Sequence, residues 1–251
     1  GTYYVDWGDG TVDTHTPTRN TCGYDISHTY TESGVRTIKI SGKTDGYEEP
    51  EKCDVTAGAL YNNVSFKHNK NIYKVEGRLN DVFGLENSSI VIAELFDNCT
   101  SLTEVSADLF DGLKVHIGSM TPWINTDGFE FVFYDCKSLT EIPDGLFDSA
   151  LTLAGNQTVS FVNTFAGCTS LTSIPENLFK NGTGKFIGTF ADCTGITEIP
   201  STLFQNETNG AENKFARTFA GCTGITEIPQ SLFTTITGSA ESGMFNSTFE
   251  N

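Results

Sequence analysis

A fixed spacing recurs five times between residues 92 and 249, and it constrains the fold more than any other feature of the chain. Each copy has an anchor phenylalanine, an apolar residue four positions before it, a cysteine three positions after it, two further aliphatic positions and a closing Leu-Phe pair. Units repeated every 25 to 37 residues bury their apolar sides only against one another, so the pattern predicts a solenoid. The anchors and their cysteines are Phe96 and Cys99, Phe133 and Cys136, Phe165 and Cys168, Phe190 and Cys193, and Phe219 and Cys222.

A compositional break separates the repeats from the beginning of the chain. All 19 phenylalanines fall at or after Phe66, which indicates two folding units. We place the boundary near residues 57–62, with a first domain at residues 1–58 and the repeat domain at residues 59–251. The repeat domain then has six blocks and the start of a seventh, which Phe245 and Phe249 open. Its first block is a degenerate copy that consists of Phe66, Asn69, Ile72, Val75 and Leu79.

Within a block, the apolar spacing changes from that of a helix to that of a strand. Phe161, Phe165 and Cys168 have the i, i+4, i+7 spacing of one helix face. Residues 171–175 are too few for a helix and end at Pro175, so they predict a short strand. Each coil is expected to contain a short strand and a short helix or turn, which makes the predicted fold an α/β solenoid. All changes in length fall between a closing Leu-Phe pair and the next block. The insertions are therefore expected to emerge at one edge of the solenoid.

The first 58 residues have a different pattern. Residues 3–7 and 37–40 have the two-residue alternation that is typical of strands, and the segment Gly8-Asp9-Gly10-Thr11 supplies an Asp-Gly turn. This part of the chain is expected to form a hairpin within a small all-β unit.

Charge and hydropathy exclude several classes of partner. The formal net charge of −17 argues against nucleic acid and anionic membrane surfaces, because binding to phosphate depends on clustered Lys and Arg. It favours basic or cationic partners. No apolar run approaches the roughly 20 residues that span a bilayer, so no membrane insertion is predicted.

Five of the seven cysteines share one repeat position, which predicts a buried column of free thiols rather than a disulfide framework. Cys22 and Cys53 lie outside the repeats. Whether these two pair with each other is left open, because sequence gives neither their distance nor their geometry.

Two motifs resemble known families. Val5-Asp6-Trp7-Gly8-Asp9-Gly10-Thr11, with His28-Thr29-Tyr30, resembles the second half of a PKD-type domain, an immunoglobulin-like β-sandwich of extracellular proteins. The block from Cys168 to Pro175, Cys-Thr-Ser-Leu-Thr-Ser-Ile-Pro, is similar to the BspA-like leucine-rich repeats of bacterial surface proteins. Together they cover nearly the whole chain. The resemblance implies a leucine-rich-repeat solenoid behind a partial PKD-like unit, in a secreted or lipid-anchored adhesive protein of the bacterial cell surface.

An acidic column is the main candidate binding surface. Glu104, Glu141, Glu198 and Glu227, with Ser173 in the middle block, each come just before an aliphatic residue expected to be buried, so they are expected to face solvent. Stacked like charges repel unless a cation or a basic partner relieves them. The alternative is a solvated consensus copied by duplication.

Two further clusters also have two interpretations each. Asp6, Asp9 and Asp13 either gather around calcium or shape the hairpin turn through side-chain to backbone bonds. Trp123, beside Met120 in the longest insertion, either forms a recognition hot spot or packs the loop onto the coil beneath. We predict no metal site and no cofactor.

The sequence offers little for catalysis. None of its four histidines lies within a fixed block, and no Gly-x-Ser-x-Gly, His-Glu-x-x-His or phosphate-loop motif occurs. The predicted function is a non-catalytic, extracellular adhesion module that binds a protein or glycan on a host or neighbouring cell. The alternatives are a passive spacer on the cell surface and, from another class, a carbohydrate-active enzyme with a carboxylate pair in the insertions.

Overall fold

The computed structural model describes residues 2–16, 26–42, 65–83, 89–117, 127–208, 210–237 and 241–251. In the first unit, strands β1 (Tyr3–Asp6), β2 (Val12–His15) and β3 (Lys39–Gly42) form an antiparallel sheet of order β2-β1-β3. The remaining elements are β4 (Lys74–Val75), α1 (Leu79–Phe83), β5 (Glu104–Val105), α2 (Asp148–Ala154), β6 (Thr158–Ser160) and β7 (Thr183–Lys185). The pairs β4–β5 and β6–β7 are parallel.

The predicted α/β leucine-rich-repeat solenoid is wrong. Strands make up 12% and helices 6% of the described residues, and the strands belong to small separate sheets rather than to one sheet running through the repeats. Turns and irregular segments form most of the repeat region.

The expected helix over residues 161–168 is replaced by successive tight turns. Thr164, Ala166 and Cys168 each donate a backbone hydrogen bond to the residue three positions earlier, while the amides between them donate to the next block. Asn163 and Gly167 have φ of 52° and 77°, which no α-helix contains. The bonds across the blocks, of 2.8 to 2.9 Å, are Phe161 to Lys185, Asn163 to Ile187, Phe165 to Thr189 and Gly167 to Ala191.

The expected strand at residues 171–175 is absent because proline removes the donor that pairing needs. In the second block, which has no proline there, the Ser106 amide donates to the Val75 carbonyl at 3.0 Å and β5 pairs with β4. The four later blocks have proline at the place of Ser106, and proline has no N–H to give. Those prolines are Pro143, Pro175, Pro200 and Pro229.

The predicted burial of the phenylalanine and cysteine positions is confirmed. All five repeat cysteines are free and buried. The anchor phenylalanines stack in one continuous column, with ring centroids 5.3 to 5.6 Å apart and planes within 13° of parallel. The column runs through Phe66, Phe96, Phe133, Phe165, Phe190, Phe219 and Phe249. Stacked aromatic rings bury a large apolar area, and these rings form much of the hydrophobic core of the repeat region.

The first unit has its own small core. Tyr3, Val5 and Trp7 point to one side of β1 and are buried, with Tyr30 and Ile40 packed against them. The expected hairpin is present, since β1 pairs with β2 in the register Tyr3 to His15. Among the described residues this unit is a single three-stranded sheet, not an immunoglobulin-like sandwich.

Within the part of the chain that the structure describes, no helix has the length and apolar character needed to cross a bilayer.

Candidate binding surface

The predicted acidic residues lie on the outside of the repeat blocks. Glu104, Glu141, Glu198 and Glu227 are all exposed, as is Ser173 in the block between them. The aliphatic residue after each is buried from Val105 in the second block to Ile199 in the fifth. Ile228 in the sixth block differs, because 46% of its surface is exposed.

A second exposed column runs beside the glutamates, and the sequence interpretation missed it. A threonine precedes each member of the acidic column, and its hydroxyl and amide link neighbouring blocks at the start of the array. Thr103 donates through its hydroxyl to the Tyr73 carbonyl at 2.8 Å, and the Thr140 amide donates to the Thr103 carbonyl at 3.3 Å. We call the two columns together the threonine–glutamate face: Thr103, Thr140, Thr172, Thr197 and Thr226, with Glu104, Glu141, Ser173, Glu198 and Glu227.

The first block supplies a basic residue to this face. Lys74 is paired with Glu104 in the β4–β5 register, and its ammonium lies 2.7 Å from the Glu104 carboxylate and 2.9 Å from that of Glu76. These two carboxylates raise the pKa of Lys74, the hydrogen bond to Glu104 contributing most. This contact shows that a cation in the neighbouring block, at the position in register with Glu104, pairs with a glutamate of the column. By contrast, Glu141, Glu198 and Glu227 have no ion pair with any described residue.

Trp123 and Met120 lie outside the described residues, as do Cys22, Cys53 and the proposed domain boundary near residues 57–62. The predictions that concern them stay predictions.

The repeat cysteines are placed for structure rather than for nucleophilic chemistry. Each thiol donates to the carbonyl of the anchor phenylalanine one block earlier, as Cys168 does to Phe133 at 3.1 Å and Cys193 to Phe165 at 3.0 Å. Burial raises the pKa of Cys99 to about 11 and that of Cys222 to about 12. Thiols with a raised pKa are inert, because the thiolate is the reactive form.

The aspartates of the first unit are engaged in shaping its turn. Asp6 accepts from the Gly8 amide at 2.9 Å, and Asp13 accepts from the Trp7 indole at 2.7 Å. Asp9 accepts from Thr11 and lies 2.7 Å from His28 Nε2. These bonds, first of all that from the Thr11 hydroxyl, lower the pKa of Asp9. Among the described residues, no group of three or more His, Cys, Asp or Glu is arranged to hold a metal ion.

Two glutamates of the repeat region are buried, Glu130 and Glu207. Glu207 takes a position that is apolar or glycine in the other blocks, where it accepts from the Gly184 amide at 2.8 Å and forms a close ion pair with the equally buried Lys214. Glu130 is also buried, and the Ser160 hydroxyl donates to it at 2.6 Å. Desolvation raises the pKa of Glu130. Both glutamates therefore have partners within the fold.

Two surface depressions lie among the described residues. One of about 370 Å³ is polar and lies between neighbouring blocks, around Asp144, Glu176 and Lys180. The other, of about 630 Å³, is apolar and is formed at the last block by Phe233, Phe245 and Phe249.

Comparison of the chain with protein-family models, with curated proteins and with solved structures found no match. The resemblance to BspA-like repeats and to a PKD-type domain therefore stays a prediction from the sequence motifs.

Proposed function

We propose that this protein is a non-catalytic binding module that recognises a basic protein, or a glycan carrying cationic groups, through the threonine–glutamate face. The observation that carries the proposal is the contrast between Glu104, which pairs with Lys74, and the three exposed glutamates at 141, 198 and 227, which pair with no described residue. The chain's own lysine is a precedent for the contact that a ligand would make.

The chemistry of the face suits a weakly specific, charge-steered encounter. A row of carboxylates on a chain of net charge −17 attracts cationic ligands over a range set by salt. The threonine hydroxyls beside them supply neutral donors and acceptors for the groups between the charges. Extended contact of this kind is typical of adhesive surfaces, and the motif resemblance favours a location outside the cell, on a bacterial surface.

The two alternatives make different demands. A passive spacer requires no ligand at all. A carbohydrate-active enzyme requires two carboxylates about 5 to 10 Å apart in a cleft. The depression between neighbouring blocks brings the acidic side chains of Asp144 and Glu176 into one hollow, and Lys180 lies there with them. Turnover of glycan substrates that is lost in Glu176→Gln would favour the enzyme.

The test is a binding screen of the intact chain against matrix proteins, basic peptides and glycans, at low and at physiological salt. We expect binding of basic ligands that weakens as salt rises and falls at least about tenfold in Glu198→Lys/Glu227→Lys. The matched control is Glu212→Lys/Glu241→Lys, which changes the net charge equally at exposed glutamates that do not belong to the face. Equal losses in the two double variants would contradict a local site, and the absence of any ligand would favour the spacer.

A further inference from the structure

We propose that Glu207 and Lys214 react with each other to form an intramolecular amide, an isopeptide bond that closes residues 207–214 into a ring. Nζ of Lys214 bonds to Cδ of Glu207, the bond from Cδ to Oε2 breaks, and this oxygen leaves as water. The step is a condensation, so it needs neither an oxidant nor a reductant. It concerns the interior of the fold and is independent of the proposed binding face.

The two reacting groups lie in contact inside the repeat region. The Lys214 ammonium forms a close ion pair with Oε2 of Glu207, and only 5% and 1% of the two side chains are exposed. Backbone bonds fix both positions: the Glu207 amide donates to the Phe204 carbonyl at 2.9 Å, and the Phe186 amide donates to the Lys214 carbonyl at 2.8 Å. Groups held in contact in this way react far faster than the same groups free in solution.

The Glu207 carboxyl is oriented as the group that is attacked. Its Oε1 accepts the Gly184 backbone amide at 2.8 Å, whereas its Oε2 faces the lysine. When the amine adds to Cδ, negative charge develops on Oε1, and the Gly184 N–H already points there as a donor of an oxyanion hole does. Oε2 is then the oxygen that receives protons from Nζ and departs.

Burial favours the neutral forms that the reaction needs. Desolvation raises the pKa of Glu207, so its carboxyl binds a proton more readily than that of an exposed glutamate. Transfer of one proton from the ammonium to Oε2 gives a neutral amine, which is the nucleophile, and a neutral acid. In water, hydration of both charges favours the ion pair over the amide, but at this buried site that hydration is lost.

Other lysines of the same region lack these features and serve as internal comparisons. Lys185 holds the place of Lys214 one block earlier, five positions before its anchor phenylalanine, and it is exposed. The Lys180 ammonium lies 2.8 Å from the Asp148 carboxylate, but both side chains are partly exposed. Because water solvates these charges, we expect the amines of Lys180 and Lys185 to stay free.

The test is the mass of the whole chain, reduced and denatured after prolonged incubation in the folded state. We expect the wild type to be lighter than its sequence mass by one water, and Lys214→Met to have the full sequence mass. The matched control, Lys185→Met, removes the exposed amine of the equivalent position and should lose one water as the wild type does.

Digestion with trypsin locates the bond, because this protease cleaves only after a free lysine or arginine side chain. In the wild type it should cleave after Lys185 but not after Lys214, and release residues 186–217 as one peptide that is lighter by one water. In an unreacted chain the same digestion gives residues 186–214 and 215–217 as two peptides.

A double variant separates the reaction from a loss of water elsewhere in the chain. Glu207→Leu/Lys214→Met replaces both groups by apolar side chains and leaves no buried charge unpaired, so it should fold and keep the full sequence mass. Thermal unfolding checks that it is folded. A wild-type chain of full sequence mass that trypsin cleaves after Lys214 would overturn the proposal. So would a loss of water that persists in Lys214→Met or in the folded double variant.

Discussion

The two described regions of the chain use their polar groups in opposite ways. In residues 2–42, side chains do much of the bonding: Asp6, Asp9 and Asp13 accept hydrogen bonds around one turn, and the Tyr30 hydroxyl donates to the Trp7 carbonyl at 2.9 Å. In the repeat region, backbone amides of one block donate hydrogen bonds to carbonyls of the next, and columns of stacked rings form the core. The first region therefore depends on charge state, and the second depends on burial and shape.

The sizes of the two cores sharpen this contrast. Three buried side chains form the core of the first region, whereas the repeat core is continuous from Leu79 to Met244. Three strands with a hydrophobic face are about the minimum for a sheet that is stable on its own. We expect two separate unfolding transitions. Because the chain has two tryptophans, a Trp123→Phe background leaves Trp7 as the reporter of the first region.

The largest expected effect is that of removing a ring from the middle of the anchor column. Phe165 is fully buried between Phe133 at 5.3 Å and Phe190 at 5.6 Å. Phe165→Ala should cost about 3–5 kcal/mol of unfolding free energy by cavity formation. Denaturant unfolding followed by far-UV circular dichroism should show the loss, and Trp7 fluorescence should show an unshifted first transition. A shift of the Trp7 signal by the same amount would mean that the regions unfold as one.

A smaller effect is expected where the tight turn of one block contacts the turn of the block before it. Gly188 has φ of +61°, and a methyl group there would lie 2.2 Å from Oδ1 of Asn163 in the preceding block. Gly188→Ala should cost about 1–3 kcal/mol through strain and this clash. The control is Gly77→Ala, with φ of +86° and open space around the added carbon, which isolates the strain alone. Equal melting temperatures for the two variants would contradict the close contact between blocks.

The stability of the two regions should depend on pH in opposite directions. The pKa of Asp9 is lowered, so its contribution to the first region is present at neutral pH and is lost as the pH falls through its ordinary value of 3.8 and below. The pKa of Glu130 is raised from 4.5, so the folded state binds its proton more tightly and stability is lost as the pH rises through the folded pKa.

Glu130→Gln keeps an acceptor for the Ser160 hydroxyl and removes the charge. We expect the variant to be at least as stable as the wild type at pH 7, with a repeat transition that depends less on pH. The measurement is the free energy of unfolding between pH 4 and 8, with Asp9→Asn as the partner variant for the Trp7 transition. A Glu130→Gln variant that is less stable at every pH would contradict the assigned burial effect.

The smallest effect is expected for surface charges of the edge loops. Lys180 forms an ion pair with Asp148 at 2.8 Å, and both side chains are partly exposed. Lys180→Ala should change the free energy of unfolding by less than about 1 kcal/mol, which is usual for exposed ion pairs. The neighbouring Gly184 is not equivalent, because it is buried in β7 and an added methyl would lie 2.8 Å from the Phe186 ring. A loss for Lys180→Ala as large as that for Gly184→Ala would contradict this distinction.

The sequence was sufficient to predict most of the buried apolar positions of the repeats, with Ile228 as an exception, but not the backbone that buries them. Spacing identified the anchor phenylalanines, the thiols and the outward glutamates. The four-residue spacing of the apolar side chains suggested a helix. In the structure this spacing arises from tight turns, in which the residues two positions before and two positions after the anchor have left-handed φ angles. Asn163 and Gly167 in one block, and Gly188 and Asp192 in the next, were the available signal, because Gly, Asn and Asp favour that conformation.

The candidate site was predictable only in outline. Alternation placed Glu198 and Glu227 outside, but the Lys74 contact depends on the pairing of β4 with β5, which no local pattern gives. The burial of Glu207 with Lys214 likewise depends on a contact across an edge loop. The prolines after the buried aliphatic position were visible, and their missing amides were a signal against the short strand that we predicted for the later blocks.

Thiol accessibility tests the central claim most directly. In a Cys22→Ser/Cys53→Ser background, a thiol reagent at pH 8 meets only the five repeat cysteines. If the rings and thiols form the interior between stacked blocks, those five should stay unmodified in the native protein and all react in denaturant. Stoichiometric modification of any of the three central thiols, Cys136, Cys168 or Cys193, under native conditions would contradict the account.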